Sequence, residues 1–206
     1  MSSTIRLYTF PLSGHAHRAQ LFLSLLNLPH ELVQVDLSKG AHKTPEYLAM
    51  NPMGQVPVLQ DGDVTLSDSN AMLVYLATKY ADASWLPRDP LGAANVQRFL
   101  SISANEIVRG PATARLIHVF KASLDYNVAL TFCKRILPVI DGGLAGQSFL
   151  VGEQPTIADV ACYTYIAHAP EGGIKLDEYP NIQAWIKRIE ALPGFVPMKA
   201  SPIPNV

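Results

Sequence analysis

The chain has 206 residues, with 16 Lys and Arg against 17 Asp and Glu for a formal net charge of −1; that length buries a substantial core, in one medium or two small domains, without disulfides or metals as staples. The balanced charge, with no cluster of Lys and Arg, excludes a broad electrostatic grip on nucleic acid. Cys133 and Cys162 lie far apart with no CxxC, MSSTIRLYTF lacks an apolar h-region, and no run of about 18 apolar residues occurs, so the expectation is two buried thiols in a cytoplasmic protein with no membrane partner.

Thr4 to Phe10 (TIRLYTF) is β-branched and aromatic, which predicts a first strand ended by Pro11. From His17 to Leu28, residues Ala19, Leu21, Phe22, Leu25 and Leu26 recur at helical spacing, and Asn27-Leu28-Pro29 closes the helix. Glu31 to Asp36 (ELVQVD) alternates as a second strand, so the first three elements form a βαβ unit with a right-handed crossover. After the loop Asp36 to Gly40, Thr44 caps a short helix with Pro45 at its first position. Met50 to Ser69 (MNPMGQVPVLQDGDVTLSDS) reads as bend, strand (Val56 to Leu59), turn (Asp61-Gly62-Asp63), strand (from Val64) and helix cap (Ser67-Asp68-Ser69). Ala71, Met72, Val74, Tyr75 and Leu76 then carry a helical pattern.

Tyr80 to Pro90 (YADASWLPRDP) is rich in turn residues and reads as a linker, beyond which no strand pattern recurs. Leu91 to Arg109 is a helix by its spacing, and Gly110-Pro111 is expected to kink it or end it before Ala112 to Phe120. Ser123 to about Leu144 forms another helix, closed by Gly142-Gly143. Thr156 and Asp159 have the spacing of a capping box ahead of a helix apolar nearly all round, the expected buried centre of this half. A last helix runs from Tyr179 to Leu192.

The stretch around Pro57 carries the first functional signal. Proline cannot donate to a sheet ladder, so one edge of this strand lacks ordinary pairing. A cis Val56-Pro57 bond is expected, presenting the Val56 N–H and C=O to an extended peptide as an added strand would meet them; the plainer alternative is an edge strand with a structural proline. The helix beginning at Ser69 offers backbone donors and partial positive charge to a carboxylate, and the Asp68 carboxylate suits an ammonium. A small peptide with a zwitterionic amino-acid end matches both.

The run NPMGQVPVLQDGDVTLSDSNAMLVYL resembles the glutathione-binding core of the cytosolic glutathione transferases, whose pattern is N-P-x-x-x-V-P-x-L, a turn, then L-x-E-S-x-A-I-x-x-Y-L; Asp68 stands where the family usually has Glu. FLVGEQPTIAD is similar to the family's F-L-x-G-x-x-x-T-I-A-D, and PNIQAWIKRIEALPGF to its last-helix pattern P-x-L-x-x-W-x-x-R-x-x-x-x-P-x-F. This resemblance, over nearly the whole chain, implies an α/β plus all-α architecture: a thioredoxin-like βαβαββα glutathione-binding domain over residues 1–79, a linker over 80–90, and an all-helical domain over 91–206 that contributes the electrophile site. It also implies a transferase joining the glutathione thiolate to small hydrophobic electrophiles, with glutathione as co-substrate, no other cofactor, and a homodimer whose glutathione sites lie along a two-fold interface.

Conjugation needs the thiolate, and a free thiol of pKa roughly 8.5 is only about 3% ionised at neutral pH. Lowering that pKa by about two units corresponds to roughly 2.7 kcal/mol. Family members place a tyrosine at the end of the first strand, or a serine or cysteine at the head of the first helix. Aligning Phe10-Pro11 puts Thr9 in the tyrosine position, and strand alternation turns Tyr8 to the opposite face. Ser13 falls on the serine position of phi-like and theta-like members, with Pro11, Ser13 and Arg18 matching P-x-S-x-x-x-x-R; taken bare, Ser13 is a helix N-cap. His42 and Lys43, in KGAHKTPEYL, resemble the phi-like loop G-E-H-K-x-P-E-x-L whose basic residues hold the glycine carboxylate, against the alternative of a solvated loop.

The same carry-over sets Gln55, Val56 and Pro57 against the cysteinyl backbone and Asp68 and Ser69 against the γ-glutamyl end. His15 and His17 invite a metal reading with His42, but residues two apart on a helix face different ways, so no metal is expected; either histidine is left open to line the thiol pocket. The second-substrate site is expected at Pro11, Leu12, Arg109, Thr113 and Leu116, with the tail Pro202 to Val206 beside it. Two rivals use the same scaffold: a glutathione-dependent disulfide reductase or peroxidase, against which the lack of cysteine at position 13 weighs, and a non-enzymatic binding or regulatory protein.

Overall fold

β1 (Ile5–Thr9) is the strand on which the first half of the molecule is built. It pairs in parallel with β2 (His30–Gln34) and antiparallel with β3 (Val58–Asp61), which pairs antiparallel with β4 (Val64–Ser67), giving the order β2-β1-β3-β4. α1 (Gly14–Leu25) makes the crossover, α2 (Pro45–Met50) precedes β3, and α3 (Ser69–Tyr80) follows β4. This is the thioredoxin-like βαβαββα arrangement, seen in a computed structural model that describes residues 4–205. Both faces of the sheet are covered: Ile5, Leu7 and Leu59 join the main core with α1 and α3, while Tyr8, Val35 and Val58 pack against Tyr47 of α2.

α1 begins at Gly14, earlier than the His17 expected from apolar spacing, because Ser13 caps it: the Ala16 amide donates to Ser13 Oγ at 3.2 Å. Thr44 caps α2 in the same way through the Tyr47 amide, with Pro45 at the first helical position. Such caps satisfy amides that have no partner inside the helix.

The second half is helical: α4 (Pro90–Ile102), α5 (Thr113–Phe120), α6 (Tyr126–Gly143), α7 (Ile157–Ala167) and α8 (Pro180–Glu190). Gly110-Pro111 does not end the helix, one of the two outcomes expected of it. Ser103–Ala112 winds as a π-helix that joins α4 to α5, and the wider turn accommodates the amide that Pro111 lacks. Gly110 is needed there for a close approach, since a Cβ would lie 3.1 Å from the Cys133 backbone nitrogen on α6.

α7 is buried from Ile157 through Ile166, as its all-round apolar sequence predicts. Its capping box is present, and the Asp159 carboxylate accepts from the Thr156 amide at 2.8 Å, the Leu150 amide at 2.9 Å and Trp185 Nε1 at 2.8 Å. Burial pushes the Asp159 carboxyl up, against the pull of those donors. α7 packs on both α1 and α4, which holds the two halves together. Cys133 and Cys162 are both buried; burial pushes the Cys133 thiol up to about 12 and Cys162 higher still, so neither is a thiolate at neutral pH. Among the described residues no helix is long and apolar enough to cross a membrane.

Candidate active site

The N-termini of α1 and α3 lie close together, as the contact between His15 and Ser69 shows, and two connected hollows open beside them. The larger, about 580 Å³, is walled from the α/β half by the Leu12–Ser13 turn, His15, His42, Lys43 and the segment Gly54 to Val56. Its opposite wall comes from the helical half: Val108, Ala112, Arg115, Leu116, Phe120 and Tyr165. The smaller, about 100 Å³, is formed by Asn51, Pro57, Asp68 and Ser69 and shares His15, Gln55 and Val56 with the larger. One polar recess therefore runs into one mainly apolar cavity, and all the residues assigned from the sequence to glutathione line one or the other.

Ser13 is the N-cap of α1, as its bare reading predicts, and it also faces the larger cavity. The two roles use different parts of one hydroxyl. Its oxygen accepts from Ala16, which leaves its hydrogen free to donate. The turn that carries it is held by the Ser13 amide donating to the Phe10 carbonyl at 2.9 Å and by Arg115 Nη1 donating to the Leu12 carbonyl at 2.8 Å.

The Val56-Pro57 bond is cis, as expected. The preceding carbonyl, of Gln55, is tied down by Tyr47 Oη at 2.9 Å and Asn51 Nδ2 at 2.8 Å. The Val56 N–H and C=O themselves take no protein partner among the described residues. Lys43 Nζ donates to the Gly54 carbonyl at 3.2 Å, and His42 Nδ1 is buried without a protein partner among the described residues. Gly54 sits at φ +59, with the site of an added Cβ only 2.7 Å from Lys43 Nζ, so a side chain there would displace the lysine from the cavity wall.

Asp68 adopts φ 72 and ψ 117, a conformation that costs a non-glycine residue about 1–3 kcal/mol. One carboxylate oxygen accepts from the Ala71 amide at 2.8 Å, and the side chain is otherwise exposed. Ser69 is buried beneath it, with Oγ 3.0 Å from Arg18 Nη1 and 3.3 Å from His15 Nδ1. A guanidinium only donates, so Ser69 Oγ accepts from Arg18 and shares a hydrogen bond with His15 Nδ1. Burial, and then the Arg18 charge, lower the His15 pKa to about 3, so the ring is neutral.

His17 turns elsewhere. Its Nδ1 lies 2.9 Å from Thr164 Oγ1 and its Nε2 2.8 Å from the Val196 carbonyl, so it shares no site with His15 or His42. Tyr8 donates to Gln60 Oε1 at 3.0 Å on the far face of the sheet. The second-substrate assignments need correction. Leu12 and Leu116 line the cavity, but Arg109 stacks over Phe132 at 4.1 Å, Thr113 donates to the Val108 carbonyl at 2.8 Å, and Pro11 faces a separate hollow with Gln20 and Gln34. Val108, Ala112, Leu116 and Phe120, each four residues apart, form the wall, the interval that keeps side chains on one helix face. The tail residues Pro202, Ile203 and Pro204 pack with His118, Val119 and Lys121 around another hollow; Val206 lies outside the described residues.

His15, which the sequence left open, lines both hollows, and Val108, Ala112, Arg115, Phe120 and Tyr165 are wall residues of the helical half that sequence reasoning did not place. The signals available were modest: a lone charge in the apolar run PATARLIHVF, and the four-residue interval from Leu116 to Phe120.

Comparison with known proteins agrees with the geometry. Residues 12–79 match the family model for the glutathione S-transferase N-terminal domain, and residues 113–193 match that for the C-terminal domain. The chain is 32% identical to glutathione S-transferase 3 of Zea mays, over 93% of this chain and 91% of that one. Its fold superposes on a glutathione S-transferase from Pseudomonas fluorescens with a TM-score of 0.89, at 34% identity over 95% and 99% of the two chains. A glutathione transferase homologue from Drosophila mojavensis, solved with bound glutathione, matches with a TM-score of 0.84 at 28% identity over 94% and 90%. On its sequence, its fold and the arrangement of this cleft, the chain belongs to the glutathione S-transferase family.

Proposed function

We propose that this glutathione transferase activates bound glutathione at the head of α1 and joins its sulfur to small apolar electrophiles held against α5. Ser13 donates its hydroxyl hydrogen to the thiolate while remaining the helix cap. The α1 N-terminus adds a favourable field, worth about 0.3–1 kcal/mol. The Val56 backbone pairs with the cysteinyl residue, Asp68 and Ser69 hold the γ-glutamyl ammonium and carboxylate, and His42 and Lys43 hold the glycine carboxylate, with Gln55 and Pro57 shaping the cleft between. The thiol proton leaves to water. The thiolate then forms the S–C bond as the electrophile's leaving group departs with its electron pair.

The observation that carries this reading is that Ser13, Val56 and the apolar face of α5 border the same cavity, while Asp68 and Ser69 border the recess joined to it. A thiol held by one wall lies next to an electrophile held by the other, and such placement is worth much of the rate. No cofactor beyond glutathione enters the scheme. Family membership supports a cytosolic homodimer acting in detoxification; light scattering in solution tests the dimer.

Turnover of glutathione with a chloro-nitroaromatic electrophile tests the chemistry, measured beside reduction of a mixed disulfide and of a peroxide. Conjugation exceeding both supports the reading. Dominant disulfide or peroxide reduction would reassign the chain to the reductase class, and no turnover in any of the three assays would make it a binding protein.

A further inference from the structure

The buried ion pair of Arg115 and Glu171 touches the thiol-activating turn directly. Arg115, on α5, is 2% exposed and donates from Nε to Glu171 Oε2 at 2.6 Å and from Nη1 to the Leu12 carbonyl at 2.8 Å. Glu171, in the short 3-10 turn Ala169–Gly172, also accepts from His168 Nδ1 at 2.6 Å and from the Ser201 amide at 3.0 Å. The turn before α1, α5, the end of α7 and the C-terminal tail therefore meet at one carboxylate–guanidinium pair. Its cost is plain: two charges are desolvated, and Arg115 Nη2 is buried with no partner among the described residues. A hydrocarbon side chain would fill the same space without either penalty. What it could not supply is a directional N–H on the carbonyl next to Ser13.

We propose that Arg115 is a positioning residue: its bond to the Leu12 carbonyl, braced by Glu171, orients the Leu12–Ser13 peptide and so aims the Ser13 hydroxyl at the glutathione sulfur. The Leu12 carbonyl and the Ser13 amide belong to one rigid peptide plane. Holding the oxygen from the helical half and the nitrogen through the Phe10 carbonyl leaves that plane no freedom to rotate. Misplacing a reacting group by about 1 Å can cost about a hundredfold in rate. This inference rests on the reading of Ser13 as the thiolate donor.

The test is the double variant Arg115→Met/Glu171→Gln, which removes both charges together, with Ser13→Ala as reference. Four quantities are read on protein that is folded by circular dichroism: glutathione Kd, the pKa of the bound thiol by ultraviolet titration, kcat for conjugation, and hydrogen exchange at the Ser13 amide. The expected result is Kd within about threefold of wild type, a thiol pKa higher by about one unit, kcat down about tenfold below that pKa, and faster Ser13 exchange. A merely structural ion pair would lower the melting temperature and leave thiol pKa and exchange unmoved, and that outcome overturns the proposal. If Ser13→Ala itself leaves the thiol titration unchanged, the Ser13 reading has failed on its own, and the exchange rate alone judges the clamp. Should the double variant not fold, Arg115→Lys replaces it: one ammonium cannot serve both acceptors at the guanidinium's fixed spacing, so the same shifts are expected and wild-type values overturn the idea.

Discussion

The two walls of the cleft are built on opposite physical plans. On the α/β side, the wall presents backbone groups and short polar side chains from three short segments: the Val56 amide and carbonyl, without a protein partner among the described residues, the Ser13 cap, and the Asp68-Ser69 helix start. On the helical side the wall is mainly apolar, with Val108, Ala112, Leu116 and Phe120 on one stripe at four-residue intervals. On the proposed function, a polar wall discriminates by hydrogen bonds that a wrong ligand leaves unmet, whereas an apolar wall rewards contact area and tolerates many shapes. Exchanging one wall's residues is expected to alter one substrate's binding and leave the other's alone.

The largest expected break is global and comes from acid. His15 beneath the polar wall and His17 behind it have pKa values lowered from 6.5 to about 3 and about 4, burial being the first cause in both. The folded protein thus binds fewer protons than the unfolded chain, so stability is complete above pH 6.5 and declines as pH falls, levelling off only below each folded pKa. By pH 5 the loss is about 2 kcal/mol for each ring. Denaturant unfolding at pH 7.5 and pH 5 reads it, and a midpoint that does not move between them contradicts both burials.

Ser13→Ala comes next. It is expected to raise the bound thiol's pKa by about one to two units, about 1.4–2.7 kcal/mol, with glutathione affinity nearly unchanged. Because the oxygen also caps α1, the same variant loses about 1 kcal/mol of stability. Ultraviolet titration and thermal unfolding separate the two effects, and a fall in melting temperature alone would leave Ser13 a cap and nothing more.

A crossed pair of substitutions tests the contrast between the walls most directly. Asp68→Ala is expected to raise KM for glutathione about tenfold with kcat at saturation little changed, since it removes about 1.4 kcal/mol of contact to a non-reacting end. Leu116→Ala is expected to raise KM for a bulky apolar electrophile about fivefold, from about 1 kcal/mol of lost apolar contact, and to leave the glutathione KM unmoved. Steady-state kinetics in which either variant shifts both constants alike would show that the walls are not independent.

The smallest effect sharpens the boundary of the apolar wall. Arg109→Ala and Thr113→Ala, whose side chains turn to Phe132 and to the Val108 carbonyl, are expected to change either KM by less than about twofold. A larger change for the electrophile alone would return those residues to the wall.

The contrast also explains what could be read in advance. Strand alternation in TIRLYTF, the caps at Thr44 and Thr156, the cis bond before Pro57 and the turn at Gly62 are decided by neighbours in the chain, and each appears where local chemistry puts it. The polar wall is legible for the same reason: its proposed recognition groups sit in short segments whose conformation is set by near neighbours in the chain. Gly110-Pro111 shows the opposite case. Local propensity predicts a kink or an end, but the chain winds on through Ser103–Ala112 as a π-helix with Gly110 close against α6, and the cavity is lined by Val108, Ala112, Arg115, Leu116 and Phe120, with Arg109 and Thr113 absent from its lining.

Sequence by itself therefore determined the order of elements, the Ser13 cap and the set of groups suited to a zwitterionic peptide, because these depend on contacts within a few residues, while the thioredoxin-like half, whose β1 pairs with β3 some fifty residues on, was implied by the family resemblance. Only the tertiary structure decided which helical face meets that peptide's thiol, that Ser69, Arg18 and His15 form one hydrogen-bonded chain, and that Arg115 reaches the Leu12 carbonyl from a position 103 residues away. Those outcomes depend on the phase of helices packed across the molecule, and a shift of one residue in winding rotates a side chain by about 100° while leaving every local propensity unchanged.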